Sequence, residues 1–209
     1  PRLLVGLPPC GPFSAIHNLS KPGAKYREGL LQAASFLDFT VELYRRQLEL
    51  GGLVLHEHPS QARSWKLHCM RELVNLPGMI TVVGDQCMYG QCGTDEEGVA
   101  PLKGPTRWAT NCPEIANRLG LRCDGGHRHC QTLGNRAALK GKERYPPKLV
   151  AEILRGLRDA LRGPHVIAAL EAGPHMDKPD PWDNNPEYYT EIYDATTEMK
   201  LDGELVSKD

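Results

Sequence analysis

The chain has 209 residues, of which 40% are hydrophobic and 24% charged, with a formal net charge of −1. No apolar run approaches the ~20 residues that cross a bilayer, which excludes a spanning helix and predicts a soluble protein with no membrane partner. Seven cysteines, an odd number, without a secretory leader argue for free thiols in a reducing, intracellular compartment, cytoplasmic or nuclear, and against a disulfide scaffold.

The near-neutral total conceals a split. Residues 1–170 carry 22 Lys+Arg against 15 Asp+Glu, and residues 171–209 carry 3 against 11. The basic part suits an acidic polymer such as nucleic acid, although an ordinary solvated surface accounts for it equally well. Length and charge together predict one domain over residues 1–162 and an acidic, Pro-containing tail of low order over 163–209.

In chain order, Leu3-Leu4-Val5, closed by Gly6 and then Pro8 and Pro9, reads as a buried strand that ends abruptly, because proline cannot continue a ladder. A loop over Ala15–Lys25 precedes a helix from Tyr26 to Leu50, whose apolar face is Leu30, Ala33, Ala34, Leu37, Val41, Tyr44 and Leu48. Gly51 and Gly52 end it. Leu53–Leu55 is a second strand with His56-Glu57-His58-Pro59 at its carboxyl end, Ser64–Leu76 a helix stopped by Pro77-Gly78, and Met79–Val83 a third strand ended by Gly84-Asp85. Gln86–Gly104 reads as a loop and Thr106–Thr110 as a strand. Pro113–Leu119 reads as a short helix capped near Asn111 or Cys112, and Arg122–Gly134 as a Gly-, His- and Cys-rich loop. Pro146 and Pro147 open a last helix with Leu149, Val150, Ile153, Leu154, Leu157 and Leu161 on one face, and a linker follows near His175–Pro186. Alternating strands and helices with short connections predict an α/β fold on a parallel sheet with flanking helices.

Cys10 stands at the carboxyl end of the first strand, where open α/β sheets place their ligands, on a turn stiffened by Pro9 and Gly11. A core-filling cysteine needs no such turn, so a nucleophile is the reading the flanking residues favour. Pro8-Pro9-Cys10, with Phe13 and Ser14, resembles the nucleophile motif of the cytosine-5 DNA methyltransferases. More closely, it is similar to a methyltransferase-like segment inside the polyproteins of some retrotransposons. The resemblance covers roughly Leu3 to Leu161 and implies the catalytic half of an incomplete doubly wound, class I methyltransferase-like sheet. It implies Cys10 as the nucleophile that adds to cytosine carbon 6, within a site containing Pro9 and Ser14. It also implies Glu57 as the acid facing ring nitrogen 3, S-adenosylmethionine as methyl donor, DNA in preference to RNA as substrate, and other polyprotein domains as partners. Glu57 lies where the family has Glu-Asn-Val, but here His58 and Pro59 follow it; a salt-bridged or helix-capping carboxylate is the alternative. His56 and His58 could be metal ligands or locally bonded imidazoles.

Asp85-Gln86-Cys87-Met88-Tyr89-Gly90, then Lys103, Thr106, Arg107 and Asn111, is similar in spacing to segments of phage-type and retrotransposon members, with Gly104 interrupting an expected Lys-Pro-Thr. Lys103 or Arg107 would hold the cytosine carbonyl or a phosphate, with Thr106 among the nucleic-acid-binding residues, unless the two cations are only solvated strand-end charges. Cys112, Cys123, His127 and His129, with Cys130 nearby, form the one cluster suited to zinc. The competing reading is a basic loop near nucleic acid carrying Arg122, Arg128 and Arg136. The Gly-rich strand-to-helix turn that would hold the methyl donor is not found, and the chain opens almost directly on a strand, which predicts a fragment lacking upstream residues. The segment Tyr193–Lys208 weakly resembles the acidic spacer before the reverse-transcriptase region of copia-type elements. A non-catalytic nucleic-acid-binding domain and a zinc-organised interaction module are the rival functions.

Overall fold

A computed structural model of the chain describes residues 1–14, 23–132, 135 and 144–162. The acidic tail, the linker near His175–Pro186, Arg136 and most of the Ala15–Lys25 loop lie outside the described residues. The main sheet contains β1 (Leu3–Gly6), β2 (Leu53–Pro59), β3 (Ile80–Asp85) and β6 (Pro105–Thr110) in the order β1-β2-β6-β3. A hairpin of β4 (Cys92–Asp95) and β5 (Gly98–Pro101) intervenes between β3 and β6. Among the described residues the α-helices are α1 (Ala24–Glu49), α2 (His68–Asn75), α3 (Pro113–Leu119) and α4 (Pro147–Arg162). Among the described residues no helix is long and apolar enough to cross a membrane.

The expected parallel sheet is corrected at one strand. β1 and β2 are parallel, but β6 runs antiparallel to both β2 and β3, so the sheet is mixed. Parallel neighbours need a long crossover, usually a helix, which α1 supplies between β1 and β2. No α-helix separates β3 from β6, and the chain returns through the β4–β5 hairpin to lie antiparallel beside β3. That hairpin occupies the stretch expected to be loop. Its strands are four residues each and carry no long apolar run, and Gly98 closes the turn with φ 104°.

Alternation along β2 builds two cores, one on each face of the sheet. Val54 packs with Leu37, Val41 and Tyr44 of α1 and with Met70 and Leu73 of α2. Leu55 faces the other way, into Trp108, Ile115, Leu119, Leu149 and Ile153 beneath α3 and α4. The apolar face expected of α1 is the one it buries, and Gly51, in the left-handed region at φ 69°, follows its carboxyl end. α4 differs from expectation. It buries Leu149, Ile153, Gly156 and Ala160, while Val150, Leu154 and Leu161 are at least 40% exposed. The reason is a close crossing, because a side-chain carbon on Gly156 would stand 2.8 Å from the Ile115 backbone. α2 begins later than expected, after a separate 3-10 turn at Arg63–Lys66 that seats Trp65 against the sheet.

β2 continues to Pro59, so His56, Glu57 and His58 belong to the strand. Its start is held by Asn111, whose side chain accepts from Val54 N at 2.9 Å and donates to the Gly52 carbonyl at 3.1 Å. At Gly84 in β3 a Cβ would stand 2.1 Å from the Leu119 carbonyl oxygen, backbone that cannot swing aside. Gly84→Ala is therefore expected to lower stability by about 2 kcal/mol or more. Gly29→Ala, in open space on α1, should raise it by about 0.5–1 kcal/mol. Urea unfolding of both variants measures the contrast.

Candidate active site

The carboxyl ends of β1, β2 and β3 share one edge of the sheet, because the three strands run the same way. Cys10 follows β1 at that edge and opens a 3-10 turn, Gly11–Phe13, in which Phe13 N donates to the Cys10 carbonyl at 3.0 Å. Three attachments hold this turn. Phe13 is buried in the α1/α2 core, Tyr26 donates its hydroxyl to the Pro12 carbonyl at 2.9 Å, and His58 donates from Nε2 to the Pro8 carbonyl at 3.0 Å. The guanidinium of Arg63 in turn donates to the Tyr26 hydroxyl. Cys10 is half-buried, Pro9 is exposed, and Ser14 is half-buried with its N–H donating to the Gly11 carbonyl.

Glu57 lies opposite Trp108 and shares the Leu55 face of β2. Burial pushes its carboxyl up to about 7, and an interaction with the Tyr145 phenol opposes that rise. The Tyr145 hydroxyl lies beside the carboxylate and the Trp108 indole without reaching ideal hydrogen-bond geometry with either. The charge of Glu57 reaches the Cys10 thiol. Burial first, and that charge second, raise the thiol above its ordinary value, and a backbone hydrogen bond works against them. Thiol and carboxyl lie toward the same edge of the sheet, and a protonated Glu57 removes the charge that opposes thiolate formation.

His56 and His58 take the opposite face, fully buried, with Trp65 edge-on to both at ring separations of 5.2 and 6.3 Å. His56 Nδ1 meets the Tyr44 hydroxyl at 3.1 Å. His58 Nδ1 meets Ser64 Oγ at 2.6 Å, and since its Nε2 must donate to a carbonyl, Nδ1 is the acceptor of the neutral ring. Burial brings His58 down to about 4, and burial with the neighbouring imidazole holds His56 well below its ordinary range. The pair consists of locally bonded imidazoles. Tyr145 was not legible in advance, because nothing in its local pattern separates it from a residue preceding a helix.

The expected nucleic-acid residues divide. Lys103 is exposed, and Arg107, opposite His58 on β6, stacks its guanidinium 5.1 Å from the Trp65 ring centre, on the face of the sheet away from Glu57. Thr106 is corrected: it is buried, accepting from Gln86 Nε2 at 2.9 Å and donating to the Gly104 carbonyl at 3.0 Å, so it is occupied within the sheet. Arg122 pairs with Asp85 at 3.2 Å, and Arg128 with Asp95 at 2.7 Å, which offsets their charge locally. The groove lined by Arg45, Glu49, Leu76, Gly78 and Asn111 lies at the opposite edge of the sheet from Cys10.

A second constellation sits at the end of β3. Cys87, Cys123, His127 and His129 each bring one donor atom, all within 4.8 Å of one another, and this group can hold a metal ion. Burial, followed by contact with Cys123, pushes the Cys87 thiol up to about 11. Cys112 is corrected as a ligand: its thiol is buried under α3 and donates to Glu114 at 3.3 Å. Cys87 takes its place. The signal for it was its position just past a strand end on the loop-bearing edge, since its spacing from Cys123 is not diagnostic.

No protein-family model, curated protein or solved structure matches this chain.

Because the folded-state value of Glu57 stands above its ordinary 4.5, its contribution to stability is full below pH 4.5 and is lost as pH rises through about 7. His58, lowered from 6.5 to about 4, works oppositely and loses its contribution as pH falls through about 4. Glu57→Gln should therefore stabilise the fold near pH 8 by up to about 3 kcal/mol and have little effect near pH 4. Its remaining pH dependence over the histidine window should rise with pH. Denaturant midpoints across that range measure both effects.

Proposed function

We propose that the chain is the catalytic half of a cytosine-5 methyltransferase-like domain carried in a mobile-element polyprotein. The observation that supports this reading is the placement of Cys10 just past β1 and of Glu57 near the end of the adjoining parallel strand β2, at one edge of the sheet. A mixed sheet with one antiparallel strand and helices on both faces is compatible with a doubly wound origin. The methyl donor that the resemblance implies, S-adenosylmethionine, finds no Gly-rich strand-to-helix turn among the described residues. The chemistry derived for this chain is therefore confined to activating the base.

In that step the Cys10 thiolate forms a bond to cytosine carbon 6. The carbon 5–carbon 6 pair moves between carbons 4 and 5, and the pair from the carbon 4–nitrogen 3 double bond goes to nitrogen 3, which takes the proton of Glu57. A carboxyl near 7 is partly protonated at neutral pH, which suits that donation. The target base must leave its stack to reach the sheet edge. Lys103 is the cation proposed for the phosphate or the base carbonyl, and Arg107, on the Trp65 face, for a backbone phosphate alone, with DNA as the preferred polymer.

5-Azacytosine accepts a thiolate at carbon 6 without a methyl donor, so it tests this chemistry directly. Incubation with an oligonucleotide containing it should give a denaturation-resistant adduct that peptide mapping assigns to Cys10. Cys10→Ala should abolish the adduct, and Glu57→Gln should slow it by about 10²-fold or more. An adduct absent from the wild-type chain, or mapping to the exposed Cys92, refutes the assignment and leaves nucleic-acid binding without catalysis as the better reading.

A further inference from the structure

The loop that follows α3 has no regular secondary structure from Leu121 to Gln131, and yet it is drawn onto the end of β3. Asp85 N donates to the Leu121 carbonyl at 2.8 Å, and Asp85 Oδ2 accepts from Cys123 N at 2.8 Å. These bonds bring Cys123 against Cys87, in the 3-10 turn Gln86–Tyr89. The loop then curls around the Cys123 sulfur. Gly125 N donates to Sγ at 3.3 Å with φ 84°, and Gly126 N donates to Asp124 Oδ1 at 2.9 Å. That curl returns His127 and His129 to the same sulfur, with Nε2 atoms 3.6 and 3.4 Å from it.

We infer that Cys87, Cys123, His127 and His129 form a structural zinc centre that clamps the 121–131 loop to the carboxyl edge of the sheet. The donor set decides the metal. Two sulfurs and two imidazole nitrogens are the ligands of closed tetrahedral zinc sites, and no carboxylate belongs to the group. The spacing agrees with this. With zinc–sulfur bonds of about 2.3 Å and zinc–nitrogen bonds of about 2.0–2.1 Å, a tetrahedron has sulfur–nitrogen edges of about 3.5 Å. The two separations from the Cys123 sulfur fall within about 0.2 Å of that edge, and all four donor atoms lie within 4.8 Å of one another. The N–H of Gly125 on the Cys123 sulfur and the Asp85 carboxylate on the Cys123 backbone supply the outer support that metal sites need to orient their ligands. Four protein donors complete a tetrahedron, so the centre is structural. It stands whether or not Cys10 is a nucleophile.

The apolar packing beneath this loop is small, a cluster of Ala100, Leu102 and Cys130, so metal ligation would be a main source of its order. The full chain, purified under reducing conditions with zinc present, should contain about one zinc per molecule by elemental analysis. Cobalt replacement should give the visible bands of a tetrahedral ion and a thiolate-to-cobalt band of two-sulfur intensity. Cys87→Ala and His127→Ala should lose the metal, and Cys112→Ala should keep it. If a variant fails to fold, cobalt titration of the wild-type chain still reads the number of sulfur ligands. Zinc content near zero, a spectrum with one sulfur or none, or recovery of Cys87 and Cys123 as a metal-free disulfide would overturn the assignment. So would loss of metal in Cys112→Ala with retention in Cys87→Ala.

Discussion

The imidazole of His58 donates from Nε2 to the carbonyl of Pro8 and receives the Ser64 hydroxyl on Nδ1. Through that ring, the turn after β1 is tied to the body of β2 and to the segment that seats Trp65. The bond is buried, where an unpaired donor or acceptor costs on the order of 1–3 kcal/mol, so neither partner can be given up cheaply. Its geometry requires the neutral imidazole, and burial keeps the ring neutral. The position of Cys10 relative to Glu57 depends on this tether, because both residues lie within two positions of its ends. The same burial that holds the histidine without charge on one face of β2 raises the carboxyl on the other.

Most of the helices and strands were legible in the sequence because each announces itself locally. The period of α1, the glycines after it, the prolines at the starts of α3 and α4, and the apolar runs of β1 to β3 carry their own signals. The direction of β6 does not, since its run looks alike whether it pairs parallel or antiparallel. Only the missing helical crossover before it distinguishes the two. The β4–β5 hairpin was hidden for a related reason: its strands are short and gain their pairing from the turn at Gly98.

The site was legible to an uneven degree. The placement of Cys10 and Glu57 toward one edge of the sheet could be read in advance, because strand ends of an α/β sheet converge there and can be located from proline and glycine. Thr106 and Cys112 were misplaced because a polar or thiol side chain near a strand end can face inward as readily as outward, and pairing with Gln86 and Glu114 decides the matter. Cys87 and Tyr145 were missed because they reach their partners only through tertiary contacts, across the 121–131 loop and the start of α4. The basic surface was overcounted for the same reason, since Asp85 and Asp95 meet Arg122 and Arg128 only after folding.

β2 carries its histidines and its carboxylate on opposite faces purely by the two-residue period of an extended chain. A single codon lost or gained between Leu53 and His56 would exchange them, turning an acid into the Trp65 side and an imidazole toward Tyr145. Point changes along this strand act one at a time, but a change of its length acts on every position at once. Whatever lineage carries this chain can drift in its loops by insertion, and yet the six peptide bonds from Leu53 to Pro59 should be inherited with their number unaltered.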